Sequence, residues 1–345
     1  MQLSPIKQFI LNNLSEHQKD IVRAAINRFG VSRQAILRHM HRLIQDGVVE
    51  AHGKTKDRYY KLKPIVEKTV SLEITPDLEE DKIGREHIFP HLVNFPPNMR
   101  EICEYGFLEV MNNVISHSEG SDCHINFLMT NQSIRISIRD NGVGIFQKIQ
   151  NHFDFENQRY AILELVKGKM TTEPEYHPGD GLCITMRIFD TVYLYSGNWR
   201  LVHYVPRNRW SLKQWNRKDC TEVSMILSTS SDRAVQNVLT SCSADGNDIS
   251  FDRTVVPLIL ARFDGENLIS RSQARRVLNR LDNFREVCFD FKQIEFMGEA
   301  FADEIFRVFQ NNHKGIKLTW VNASENVESM ISWILRNQRG TLRRI

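Results

Sequence analysis

The sequence predicts an α+β multidomain chain: a small basic helical domain, a middle α/β domain and a small α/β domain at the end. Three observations carry this prediction. At 345 residues the chain is too long for one small core. Its charge is segregated: through Lys63 there are twelve Lys and Arg against five acids, a balance of +7, which leaves −4 for the rest of a chain whose total is +3. The apolar period also changes, from helical spacing before Gly47, to strand-like alternation from Cys123 to Arg139, to alternating strands and helices at the end. The expected boundaries are 1–63, a linker at 64–84 with one strand in it that begins the next sheet, 85–230, a Ser/Asp/Asn-rich linker at 231–249, and 250–345.

Composition narrows the class. With 41% hydrophobic and 25% charged residues the chain reads as a soluble globular protein. No apolar run approaches the ~18 residues of a membrane span, and the N-terminus lacks the apolar stretch and cleavage site of a secretion signal. The six cysteines form no CxxC pair and sit among apolar neighbours, which predicts buried thiols in a reducing, cytoplasmic setting.

The basic end is taken first. Residues 15–29 (SEHQKDIVRAAINRF) open on a Ser, carry Ile21, Val22, Ala25 and Ile26 at helical spacing, and stop at Gly30. A second helix from Ser32 to Gln45 puts Ala35, Ile36, Met40, Leu43 and Ile44 inside and Arg33, Gln34, Arg38, His39 and Arg42 outside. Two short strand-like runs then flank His52-Gly53-Lys54-Thr55-Lys56-Asp57, a basic hairpin. Helix, glycine turn, capped helix and basic hairpin resemble a winged helix-turn-helix domain. The resemblance implies a DNA partner, with Arg33, Gln34, Arg38 and Arg42 facing base edges and Lys54, Lys56 and Arg58 along phosphates. Winged helices also serve as protein docking modules, which leaves that alternative open.

The middle domain is organised around Phe107–His117, FLEVMNNVISH. Glu109, Asn113 and His117 recur every four residues and share one helix face. Downstream, Ser133–Asp140 alternates like a strand and runs into NGVG, and GDGL follows at 179–182. A helix is expected at 88–95, strands at 123–129, 133–139, 191–196, 199–204 and 221–227 in a mixed sheet, and at 206–219 an exposed basic excursion, with a second nucleic-acid contact as the alternative. A DNG tripeptide alone is the commonest turn signal; the ordered set is far more specific. There is no GxxxxGK[ST], which excludes a P-loop.

E-x3-N-x3-H, then DxGxG, then GxGL resembles the ATP-binding domain shared by gyrase, Hsp90, histidine kinases, MutL and anti-sigma kinases, the GHKL or Bergerat fold. The resemblance implies an α/β sandwich that binds ATP with Mg²⁺. Glu109 would be the general base, Asn113 the Mg²⁺ ligand and Asp140 the acceptor for adenine. Gly142, Gly144, Gly179 and Gly181 would flank a lid running from Phe146 to Pro178. Thr221 would support Asp140, although Cys220 stands where the family often has Gly. Lys167 and Lys169 on the lid are read either as phosphate contacts, Lys169 above all, or as solvated charges. His117 either matches the histidine-kinase subset or caps its helix.

The last part alternates: helix 270–283, strand 286–291, helix 298–310, strand 316–321, helix 324–336. VCFDFKQIEFMGEAFADEIFRVF resembles a STAS-like domain, the fold of anti-sigma-factor antagonists, and implies a regulatory protein partner. The turn that carries a phosphorylatable Ser in those antagonists reads Met297-Gly298-Glu299-Ala300-Phe301 here, without a hydroxyl. Asp303 and Glu304 read as a solvated face. The whole predicts an ATP-binding transcriptional regulator, an ATPase in its activity, with a second copy of the chain as a further partner. The alternatives are a protein Ser/Thr kinase of the anti-sigma type and a scaffold that binds ATP without turnover.

Overall fold

The computed structural model describes residues 4–14, 16–170, 179–216, 220–244, 251–262 and 266–340, the last four by backbone alone. The N-terminal part holds helices α1 (Pro5–Asn13), α2 (Ile21–Phe29) and α3 (Arg33–Gln45), then an antiparallel hairpin of β1 (Val49–His52) and β2 (Tyr59–Leu62). Ser32 opens α3 by accepting from the Ala35 N–H at 3.3 Å. Gly30 closes α2 at φ 65°, a left-handed backbone that costs a side chain strain. Ile21, Ala25, Ile36, Met40 and Leu43 close into a core of their own. The helix expected from residue 15 begins at Ile21, and Ser15 lies outside the described residues. Helix α1 was not foreseen, although Ser4-Pro5 is a cap followed by a first-turn proline.

The middle part is a seven-stranded sheet in the order β3-β4-β5-β9-β6-β7-β8. These are Val66–Glu73, Asp122–Met129, Ser133–Asp140, Thr221–Ser228, Thr191–Ser196, Trp199–Tyr204 and Arg209–Gln214 respectively. Every neighbouring pair is antiparallel, so the mixed sheet that was expected is corrected. The stretch at 64–84 holds the strand expected within the linker, edge strand β3, and in place of the remaining linker the start of α4 (Glu80–His87). The helix expected at 88–95 is replaced by α4 and a 3-10 turn at Phe89–His91, because Pro90 cannot donate to a helix. The stretch expected as an exposed excursion contains β8, whose Trp210 is buried and stacks on His203 at 3.8 Å. Its residues 217–219 lie outside the described residues.

One face of this sheet is apolar by period two: Ile134, Ile136 and Ile138 on β5 stand beside Leu227, Met225 and Val223 on β9. Helix α5 (Pro97–His117) lies on that face with Met99, Ile102, Cys103, Gly106, Phe107, Val110, Met111 and Val114 buried. Gly106 is required there, since a Cβ would fall 2.3 Å from the Phe189 ring. Helices α6 (Ile145–His152), α7 (Gln158–Lys167) and α8 (Gly181–Ile188) follow. The linker expected at 231–249 holds α9 (Val235–Ser241), anchored by buried Val235 and Val238; residues 245–250 lie outside the described ones.

The C-terminal part has three parallel strands in the order β10-β11-β12, Arg253–Pro257, Glu286–Asp290 and Lys317–Val321. Strand β11 is buried along its whole length, as a central parallel strand must be. Helix α10 (Arg271–Leu278) starts with a Ser270 and Gln273 capping box. The helix expected at 298–310 is α11 (Glu299–Asp303), a π-helical stretch Glu304–Phe309, and α12 (Gln310–Asn312). Helix α13 (Glu325–Gly340) ends the fold. Asp303 and Glu304 are not a solvated face: both are buried, Asp303 paired with Arg271 and Arg307, Glu304 with Arg271 and Arg275.

The middle and C-terminal parts share one continuous hydrophobic core. No helix among the described residues is long and apolar enough to cross a membrane. All six cysteines are buried free thiols.

Candidate functional site

Helix α5 presents two rows. One packs on the sheet; the other, Tyr105, Glu109, Asn113 and His117 at every fourth position, lines a cavity of about 780 Å³. Ile138, Val223 and Val110 also line the cavity, as do Asp180, Gly181 and Leu182. Its size and mixed apolar and polar walls suit a ligand of cofactor dimensions.

Asp140 reaches this cavity because of strand period. It continues the inward row Ile134, Ile136, Ile138, so its carboxylate is buried on the helix side at the end of β5. Its Oδ1 accepts from the Gly142 N–H at 2.8 Å and the Thr221 N–H at 3.3 Å. Burial pushes this carboxyl above the ordinary carboxylate range, and those two N–H donors pull it back. Thr221 is the register partner of Asp140, and its hydroxyl accepts from the Ile145 N–H at 3.0 Å. Thr221 is thus in contact with Asp140, with Cys220 as the residue before it.

Gly142 is forced by a close approach: a Cβ there would lie 1.9 Å from the Ser118 carbonyl oxygen. Gly144, at φ 87°, begins α6 against Ser196. Gly179 and Gly181 bracket Asp180 at the start of α8, and a Cβ on Gly181 would fall 1.8 Å from Glu109 Oε2. The Glu109 carboxylate thus rests on the first turn of α8. Tyr105, one turn earlier, hydrogen-bonds to Glu109; burial and then that carboxylate's charge push the phenol well above its usual pKa. Asn113 Nδ2 donates to the Glu109 carbonyl at 2.7 Å, which commits the amide nitrogen to the helix and leaves the oxygen as the face for a cation. Lys148 Nζ donates to the His117 carbonyl at 2.9 Å and pairs with Glu119.

The structure brings Glu109, Asn113, Asp140, Gly179, Gly181, Thr221 and Lys169 to one cavity, with His117 at its edge. Gly142 and Gly144 stand in the loop beneath it. Of the two lysines on the expected lid, Lys167 is not a solvated charge, and Lys169 is half-buried with its Nζ bond exposed. Lys167 is 1% exposed, paired with Glu164 at 2.6 Å and donating to the Asn279 carbonyl at 2.9 Å. Burial pulls both members of that pair toward their neutral forms, and their mutual contact opposes it. Lys169, at φ 52°, gives its Nζ to the Asn283 carbonyl at 2.8 Å while its N–H donates to Asp180 Oδ1 at 2.6 Å. Burial raises the Asp180 carboxyl from 3.8 to about 6, the Lys169 N–H and charge opposing. Residues 171–178 of the expected lid lie outside the described residues.

Sequence reasoning missed Tyr105, Asp180, Phe251, Arg280 and Asn283 in the cavity wall. Tyr105 was recoverable, being one turn before Glu109 on the same row; Asp180 stood inside the quoted GDGL. The other three come from the distant C-terminal part, and nothing in their local sequence signals it. Well away from the cavity in sequence, Arg33, Gln34, Arg38 and Arg42 are exposed on α3, and Lys54, Lys56 and Arg58 are exposed on and beside the hairpin.

Residues 273–328, from within α10 to the start of α13, match the model of a family described as a STAS-like domain of unknown function (DUF4325). No curated protein matches the chain.

Proposed function

We propose that the middle domain binds ATP with Mg²⁺ and that the chain is a nucleotide-responsive regulator whose basic N-terminal domain binds DNA. The observation that carries this reading is the convergence of Glu109, Asn113, Asp140 and Thr221, from one helix and two strands, on a single cofactor-sized cavity. The donor set fits. A buried carboxylate held by two backbone N–H groups keeps acceptor capacity for the amino group of adenine. The Asn113 amide oxygen is a neutral hard ligand of the kind Mg²⁺ takes while keeping most of its waters.

Bound Mg²⁺-ATP would supply an activated phosphoryl group with its charge partly neutralised. Glu109 stands one turn from Asn113 and would accept the proton of an attacking water; Tyr105 holds its carboxylate in place. The first turn of α8 offers backbone N–H groups to phosphate once the Glu109 carboxylate turns toward that water. At the other end of the chain, residues 34, 38 and 42 share one face of α3, and Lys54, Lys56 and Arg58 would follow phosphates beside it.

The test is calorimetry of the whole protein and its Asp140→Asn variant with ATP, and titration with duplex DNA with and without ATP. Placing a side-chain NH₂ donor opposite the adenine amino group should weaken ATP binding by ~1.5–3 kcal/mol, the worth of a hydrogen bond to a charged group. Any effect of ATP on DNA affinity should vanish in the variant. Equal ATP affinity in the two proteins would overturn the reading.

A further inference from the structure

The cavity is not built by the middle domain alone. Phe251, Arg280 and Asn283 belong to the C-terminal part and stand in its wall. Arg280 lies between α10 and a 3-10 turn at Leu281–Asn283, with φ 58°. A left-handed backbone at a bulky residue is uncommon and points to a site where surrounding structure imposes it. Its guanidinium sits over the Phe153 ring at 4.8 Å, donates to the Lys169 carbonyl at 2.6 Å and touches Met170 Sδ at 2.9 Å. These three partners are neutral; the Glu164 carboxylate, which the Arg280 charge also reaches, is already paired with Lys167.

Arg280 grips a particular piece of backbone. The Met170 N–H donates to the Gly179 carbonyl at 3.2 Å, joining the two ends of the expected lid next to Asp180 and the first turn of α8. That turn is where the proposed function places phosphate. A planar, permanently charged fork beside it is suited to bidentate phosphate recognition.

We propose that Arg280, carried by the STAS-like domain, binds the anionic end of the nucleotide in the middle domain's cavity, so that nucleotide binding and docking of the STAS-like domain are one equilibrium. This rests on the nucleotide reading of the cavity and adds its regulation. A ligand that touches both domains favours the docked arrangement by its differential affinity, and a partner that pulls the STAS-like domain away lowers nucleotide affinity by the same factor.

The experiment uses the full chain as wild type, Arg280→Ala and Arg280→Lys, with adenosine, ADP and ATP as calorimetric ligands. Arg280→Ala should weaken ADP and ATP by ~10-fold or more while adenosine binds within about twofold of wild type. Arg280→Lys should recover part of the loss. In wild type, amide exchange across 279–284 should slow with ATP and not with adenosine.

If wild type binds ATP and Arg280→Ala leaves the ATP-to-adenosine ratio unchanged, or weakens all three ligands alike, Arg280 is only a structural clamp and this inference is overturned while the nucleotide reading stands. If wild type binds neither ATP nor adenosine, the nucleotide reading itself falls. Should Arg280→Ala not fold, the exchange measurement on wild type decides, and identical profiles with ATP and adenosine overturn the inference.

Discussion

The two junctions of this chain are built differently. The N-terminal helices and hairpin close a core of their own around Ile21, Ile36, Met40 and Leu43. The middle and C-terminal domains share one core, with polar bonds laid across the seam. Thr254 donates to the Lys167 carbonyl at 2.7 Å, Arg159 to the Arg262 carbonyl at 2.5 Å and Asn208 to Asp290 at 2.7 Å. Gly168 fits under the Phe251 ring, where a Cβ would come within 2.3 Å. Directional bonds across the seam specify one arrangement, because each loses its partner if the domains shift. The N-terminal part thus has a core of its own, and the other two parts share one.

The largest expected effect tests that unity directly. Lys167→Ala removes one member of a buried ion pair and leaves Glu164, 4% exposed in its side chain, and the Asn279 carbonyl without their partner. Breaking such a pair from one side costs ~3–5 kcal/mol. In urea unfolding of the full chain, the transition of the middle and C-terminal domains should move down together and that of the N-terminal domain should stay. Two separate transitions for the middle and C-terminal domains would show that the seam does not couple them.

The converse change is Ile36→Ala, at a fully buried position of the N-terminal core. A cavity of this kind costs ~2–5 kcal/mol. The loss should be confined to the N-terminal transition, with Trp fluorescence, which reports only residues from 199 onward, unchanged at that step. If the whole chain unfolds in a single displaced transition, the two junctions are equivalent after all.

How much of this was legible follows from the range of the interactions. The helices α2 and α3, the hairpin and the long α5 follow from caps, glycines and apolar period, all local. The Asp140, Glu109 and Asn113 arrangement was legible because each position is fixed by its own element's period, four on α5 and two on β5. The errors fell where local signals were weak or tertiary context overrode them: α4 and the π-helical stretch read as linker and plain helix, and β8 read as a loop because its residues are basic. The lysines at 167 and 169 stayed open between phosphate contact and solvated charge because Lys is usually exposed; only the C-terminal domain, more than a hundred residues on, shows what they bind. The contributions of Arg280 and Asn283 to the cavity are likewise tertiary facts with no sequence period behind them.

The smallest effect sharpens the seam by pH. Asp180 accepts from the Lys169 N–H, and Lys169 is tied to Asn283 across the domains. Burial lifts the Asp180 carboxyl from 3.8 to about 6 in the folded state. Between those values the folded protein holds more protons than the unfolded one, so this group lowers stability as pH rises, and its cost is complete above about 6. Asp180→Asn keeps an oxygen for the Lys169 N–H and removes the charge. The Tm difference, variant minus wild type, should therefore grow from pH 4 to pH 7 and then stay constant. A difference that is flat across that range would place the Asp180 carboxylate in contact with water, and would loosen the seam at the point where the cavity meets it.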